Sequence, residues 1–190
     1  MATTLATHRK PGFVSRLNGE RHRAALFMFM FVVLAHWAEH LAQAGQIWLL
    51  GWSRPESRGV LGLYFPWLVE SEWLHYGYAI LMLVGLWLLR TGMVGRARTF
   101  WMIAFAIQAW HHIEHLALLL QAITGTTLFG KAAPTSFVQL IAPRVELHLF
   151  YNAVVFLPMI IAMYLHLRPR PEELRLMSCN CVRMPAAVAR

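Results

Sequence analysis

His36-Trp37-Ala38-Glu39-His40-Leu41-Ala42 returns 75 residues later as His111-His112-Ile113-Glu114-His115-Leu116-Ala117, with five of the seven positions identical. Each copy lies in the middle of a long apolar run, and that placement gives the match its meaning. A charged group near the centre of a bilayer costs roughly 2.5–3.5 kcal/mol on insertion scales, so His and Glu in such a run are functional candidates by default. The same trio on two helices points to a constructed site.

The surrounding composition sets the fold class. Of 190 residues, 58% are hydrophobic, and the mean hydropathy is +0.48. Soluble domains carry roughly 45–50% apolar residues. The surplus falls in four runs, at about 24–50, 73–89, 99–122 and 145–167. Each approaches the roughly 20 residues that span a bilayer. The expectation is an all-α integral membrane protein, a bundle of four transmembrane helices. Residues 1–23 form a basic, loosely ordered N-terminal segment, and 169–190 a tail.

The net charge of +8 is explained by topology. Thirteen Lys and Arg flank the runs on the side of the termini: Arg9, Lys10, Arg16, Arg21, Arg23, Arg90, Arg96, Arg98, Arg168, Arg170, Arg175, Arg183 and Arg190. Only Arg54, Arg58, Lys131 and Arg144 fall in the other two loops. The positive-inside rule then places both termini in the cytoplasm, with the protein in a plasma (bacterial inner) membrane. Anionic headgroups account for the basic residues, and no nucleic-acid partner is needed. The first run also has the basic flank and the Ala42-Gln43-Ala44 step of a signal peptide. Glu39 and two histidines interrupt it, and the pattern recurs in the third run, so it reads as a retained helix.

The repeat extends past the first match. The second run opens with His75-Tyr76-Gly77-Tyr78 and the fourth with His148-Leu149-Phe150-Tyr151. The chain thus reads as two tandem helix hairpins, the parallel-repeat case. At about 100° and 1.5 Å per residue, His36, Glu39, His40 and Gln43 share a stripe, as do Gln108, His111, Glu114 and His115. His36 and His111 each lie 13 residues past a basic boundary, at Arg23 and Arg98. His75 and His148 enter the same level from the outer side. All fall in the outer half of the bilayer.

Imidazole and carboxylate converging from several helices are ligands for Fe, Zn, Mn or Cu(II). Dinuclear centres of helix bundles use Glu and His three residues apart. The metal ligands read from the sequence are His36, Glu39, His40, His75, His111, Glu114, His115 and His148. They imply two transition-metal ions, iron first, then copper or zinc. The further candidates around them are His112, Glu72, Tyr78, Tyr151, Gln43, Gln108 and Arg144. Pro158 is expected to kink the fourth span or free a carbonyl. His8 and His166 read as ordinary interfacial residues. Cys179 and Cys181, a Cys-x-Cys in the tail, are a candidate second metal site.

The His-x-x-x-His spacings at 36/40 and 111/115 resemble one histidine box of membrane fatty-acid desaturases and hydroxylases. The family's His-x-x-His-His boxes are missing, and its histidines lie at the cytosolic surface, so no activity is carried over. The leading functional reading is a non-haem dinuclear oxidoreductase acting on a small lipophilic or gaseous substrate. The alternatives are a haem b electron carrier, a proton or metal-ion transporter, and an accessory subunit of a membrane complex or a homo-oligomer.

Overall fold

The computed structural model describes residues 12–182. Residues 1–11, with His8, Arg9 and Lys10, and residues 183–190, with Arg183 and Arg190, lie outside it. The protein is all-helical, 72% helix, with no strand among the described residues. A short helix α1 (Phe13–Asn18) precedes the first long helix, α2 (His22–Trp48). Two single-turn helices, α3 (Leu61–Tyr64) and α4 (Pro66–Val69), occupy the loop that leads to α5 (Glu72–Leu89). Then come α6 (Gly95–Thr124), α7 (Arg144–Leu167) and the short α8 (Pro171–Leu174). Turns of 3-10 helix at Leu128–Gly130 and Val138–Leu140 shape the loop between α6 and α7.

Local chemistry accounts for the boundaries. Ser71 caps α5 by accepting the Trp73 N–H at 3.3 Å, and Glu72 in the first turn suits the helix dipole. α6 ends on Gly125, whose φ of 67° is a left-handed cap that favours glycine. α7 runs through Pro158 as one element, although a proline in a helix interior leaves the carbonyl four residues earlier without its helical partner.

Three helices, α2, α5 and α7, are long and apolar enough to cross a membrane. Four apolar spans were expected from the sequence. α6 is the longest helix, at 30 residues, but it falls outside this set because it carries Arg96, Arg98, Gln108, His111, His112, Glu114 and His115. It packs along both α5 and α7, while α2 meets α5 and α7 more loosely.

The core lies toward the end where α1 and α8 lie. Leu86, Met93, Trp101 and Met159 are fully buried there. The Trp101 indole N–H donates to the Leu86 carbonyl at 2.8 Å, so this deep polar atom is satisfied. Each long helix also exposes large apolar residues, among them Phe31, Leu81, Ile113 and Leu157.

The segment expected to be loose is partly built in. Asn18, at the end of α1, donates to the Leu88 carbonyl at 2.7 Å and accepts the Gly92 N–H at 2.8 Å. These two bonds tie α1 to the turn between α5 and α6. The tail is tied as well. The Glu173 carboxylate accepts the Arg96 backbone N–H at 2.9 Å and its guanidinium at 2.9 and 3.0 Å. Arg96 and the helix-start N–H hold the Glu173 carboxyl down at about 2.

Candidate metal centre

Six histidines converge where α2, α5, α6 and α7 approach the loops opposite the termini. α2 supplies His36 and His40, one turn apart. α6 supplies His111 and His115 with the same spacing. α5 and α7 supply His75 and His148, each within the first turns of its helix. The His148 ring is central: its centroid lies 5.3 Å from His40, 5.7 Å from His111, 5.2 Å from His115 and 6.1 Å from His75. His75 and His115 stack at 6.2 Å.

The nitrogen positions are compatible with metal binding. His36 Nε2 and His40 Nε2 are 3.1 Å apart, and so are His111 Nε2 and His115 Nε2. At metal–nitrogen distances of about 2.0–2.1 Å, two imidazoles on one ion stand ~3.0–3.4 Å apart. One nitrogen each of His111, His115 and His148 lie within 4.8 Å of one another, so this trio can hold a metal ion.

Two of the rings have their orientation fixed from behind. His75 Nδ1 meets the Ser71 carbonyl at 3.1 Å and His148 Nδ1 meets the Arg144 carbonyl at 2.7 Å. A carbonyl accepts only, so Nδ1 carries the proton and Nε2 presents its lone pair. His148 Nε2 is buried without a hydrogen-bond partner. A backbone carbonyl behind the non-ligating nitrogen is the usual support of a metal-binding histidine.

Glu39 and Glu114 sit differently from the eight-ligand reading. The Glu39 carboxylate accepts the Leu61 N–H, at the start of α3. Glu114 accepts the Val138 N–H at 2.9 Å and the Ser136 hydroxyl at 3.1 Å. Each glutamate thus holds the loop that follows its helix. The reason is angular: a residue three positions on lies about 60° off the first histidine and about 100° off the second. Glu114 keeps one link to the cluster, its Oε2 lying 3.8 Å from His111 Nδ1.

The remaining candidates divide clearly. Tyr78 lies flat on His36, with centroids 3.5 Å apart, and Tyr151 on His111, at 4.1 Å. Gln43 accepts from His40 Nδ1 at 3.4 Å and donates to the Ser57 carbonyl at 2.7 Å. Gln108 donates to the Ala79 carbonyl at 3.2 Å. Glu72 and Arg144 form a two-bond ion pair at 2.7 and 2.8 Å, which joins the starts of α5 and α7 and commits both charges to each other. His112 faces Tyr76, 5.2 Å away, apart from the six.

Two further residues repeat at the offset of 75 and were not singled out from the sequence. Gln46 accepts the Gly59 N–H at 2.8 Å and donates to the Gly59 carbonyl at 3.1 Å. Gln121 accepts the Thr135 N–H at 3.2 Å and donates to its carbonyl at 2.9 Å. Both pin the loop after their helix. The offset itself was the available signal.

Two spaces adjoin the histidines. One, of about 20 Å³, is enclosed among His36, His75, His111, His115, Gln108 and Asn152, with room for about one water-sized molecule. The other, of about 410 Å³, lies between α2 and α5. It reaches His36, His40 and His75, and Val32, Val69 and Leu74 line its outer part.

A second histidine group lies at the terminus-bearing end, where His22 and His166 meet Cys181. Comparison with protein-family models, curated proteins and solved structures finds no match for this chain.

Proposed function

We propose that the chain is an integral membrane metalloprotein whose six converging imidazoles hold a non-haem redox centre of two metal ions. One observation carries the reading: one nitrogen each of His111, His115 and His148, from two helices, lie within 4.8 Å of one another, and the His36–His40 pair repeats the 3.1 Å spacing of His111 and His115. His111, His115 and His148 hold one ion, and His36 and His40, with His75 beside them, hold the other. Three protein nitrogens leave an ion with an open position, as catalytic sites do. With both glutamates engaged by the loops, the donor set is imidazole, which suits iron, copper or zinc. Iron or copper supplies the one-electron chemistry of an oxidoreductase, with dioxygen or a quinol-like lipophile as substrate.

The apolar pocket between α2 and α5 supports a substrate arriving from the lipid. α6 completes a bundle of four spans in this reading, since Gln108, Glu114 and His115 are buried inside the protein, while Ile103, Ile113 and Leu120 face outward. The contacts that recur at the 75-residue offset support a tandem pair of hairpins. Charge distribution supports cytoplasmic termini.

Two other readings fare worse on this geometry. Axial haem ligands stand across a macrocycle, whereas the closest histidine pairs are neighbours on one helix within 3.1 Å of each other. A proton or ion path to the cytoplasm meets Leu86, Trp101 and Met159, all fully buried.

The test is turnover. Iron- or copper-loaded protein in lipid nanodiscs is given a lipophilic quinol, and oxygen uptake is recorded. Uptake that is lost in H111A/H115A supports the enzyme. A centre that binds metal but neither changes oxidation state nor consumes oxygen would reduce the reading to a metal-binding protein.

A further inference from the structure

At the end of the molecule that carries α1 and α8, four side chains from three distant parts of the sequence meet. His22 is the first residue of α2, His166 lies in the last turn of α7, and Cys179 and Cys181 follow α8. The His22 and His166 rings approach edge to face, with centroids 5.3 Å apart. One nitrogen of each and the Cys181 sulfur lie within 4.8 Å of one another. The Cys179 sulfur is 3.4 Å from His166 Nε2.

From these contacts we infer a second, closed metal site for a zinc ion, with His22, His166, Cys179 and Cys181 as its four ligands. It is independent of the six-histidine centre, with the apolar core of Leu86, Trp101 and Met159 between them.

Three features support the assignment. First, His22 and His166 are 0% and 2% exposed, and neither nitrogen of His22 nor Nδ1 of His166 has a hydrogen-bond partner. Buried polar atoms are rarely left so, and an unpartnered group of this kind calls for an explanation. Second, two sulfurs and two imidazoles are the tetrahedral donor set that selects zinc. With Zn–S near 2.3 Å and Zn–N near 2.0–2.1 Å, adjacent S and N ligands stand ~3.6 Å apart, close to the Cys179–His166 separation.

Third, the cysteines are held in place. Asn180, between them, donates to the Glu20 carbonyl at 2.7 Å and accepts the Arg23 N–H at 3.4 Å. With four protein ligands no position stays open, which marks a structural site. The ion would staple the tail to the ends of α2 and α7.

The experiment uses the full chain in detergent. Metal content is measured for the wild type, C179S/C181S, H22A and H148A. The cysteine and His22 variants are expected to lose one equivalent of zinc, while H148A retains it. Cobalt substitution provides a check that does not depend on any variant folding: the wild type should show a thiolate-to-cobalt charge-transfer band that H148A keeps. Alkylation provides a third readout, with both thiols resistant to iodoacetamide until a chelator is added. Zinc content unchanged by the cysteine replacements, or a cobalt spectrum without a thiolate band, would overturn the site. A disulfide between Cys179 and Cys181 in freshly purified protein would do so as well.

Discussion

The Nδ1 atom of His148 lies 2.7 Å from the carbonyl oxygen of Arg144, one turn back on the same helix, and its Nε2 is buried with nothing to bond. Such a ring is oriented and deprotonated on the side that faces His111 and His115. Its Nε2 can bind an ion together with His111 and His115, so its removal tests the site directly. In H148A, the ion shared with His111 and His115 should bind at least ~10-fold more weakly, while H112A should bind as the wild type does. Metal titration in detergent measures both; equal losses in the two variants would contradict the assignment.

The Glu72–Arg144 pair supports the same ring from a distance. It joins the starts of α5 and α7, which carry His75 and His148, and Glu72 is largely buried. E72A leaves the Arg144 charge without its partner. We expect a loss of roughly 1–3 kcal/mol of stability and weaker metal binding; R144K, with Glu72 intact, should keep the charge and lose the two-bond geometry that guanidinium alone provides. Thermal unfolding with and without metal separates the two effects.

Glu114 holds the loop between α6 and α7 through Oε1. In E114A the Val138 N–H and the Ser136 hydroxyl lose their acceptor, at a cost of roughly 1–3 kcal/mol. E114Q keeps an acceptor oxygen and should recover most of that stability. Metal affinity should fall by about 10–100-fold in E114A, the range seen for residues behind a ligand, and should not vanish. Complete loss of metal in E114Q with unchanged stability would make the carboxylate a direct ligand.

Gln46 offers a test free of metal. It makes both of its hydrogen bonds to one glycine, Gly59, whose φ of 71° is natural only to glycine. Q46A should cost about 1–3 kcal/mol in unfolding free energy. G59A should destabilise by a similar route, since a side-chain carbon there would strike the Glu39 carboxylate. Hydrogen exchange at the Gly59 amide, rising in Q46A and unchanged in Q43A, checks the assignment.

Acid should release the tail before it unfolds the helices. The Glu173 carboxyl is held down to about 2 against an ordinary 4.5, by Arg96 first and then by the Arg170 N–H. A depressed carboxyl favours the docked tail while it is ionised. That contribution is full above about 4.5 and is lost as the pH falls toward 2. Hydrogen exchange over α8 should rise through that window in the wild type. E173Q should show the raised exchange already at neutral pH, with no further change through the window.

The sequence made some of this legible and withheld the rest for physical reasons. Helical periodicity and apolar run length place the four long helices to within a few residues, from His22 to Leu167. The shared depth of His36, His75, His111 and His148 also follows from counting turns, and the structure brings all four together. Carboxylate direction does not follow. Glu39 and Glu114 lie on the flank of each histidine stripe, and loop amides that fold back over the helix take them up. Neither turn has a spacing rule that announces it. The contact of His22 with His166 and the two cysteines is also invisible in spacing, because its members are separated by most of the chain. Only tertiary packing brings them together, and it turns His166 from an interfacial residue into a buried one. The polar residues of α6 lower its hydropathy by composition, and packing buries Gln108, Glu114 and His115 among them.

The most direct test of the central claim is the metal content of C179S/C181S, purified in detergent and reconstituted with iron or copper. This background removes the thiolate site and leaves the six imidazoles. Two equivalents per chain, with X-ray absorption showing a nitrogen and oxygen shell with imidazole scattering, is the predicted result. No bound metal after reconstitution, in protein whose helical content matches the wild type, would contradict the account.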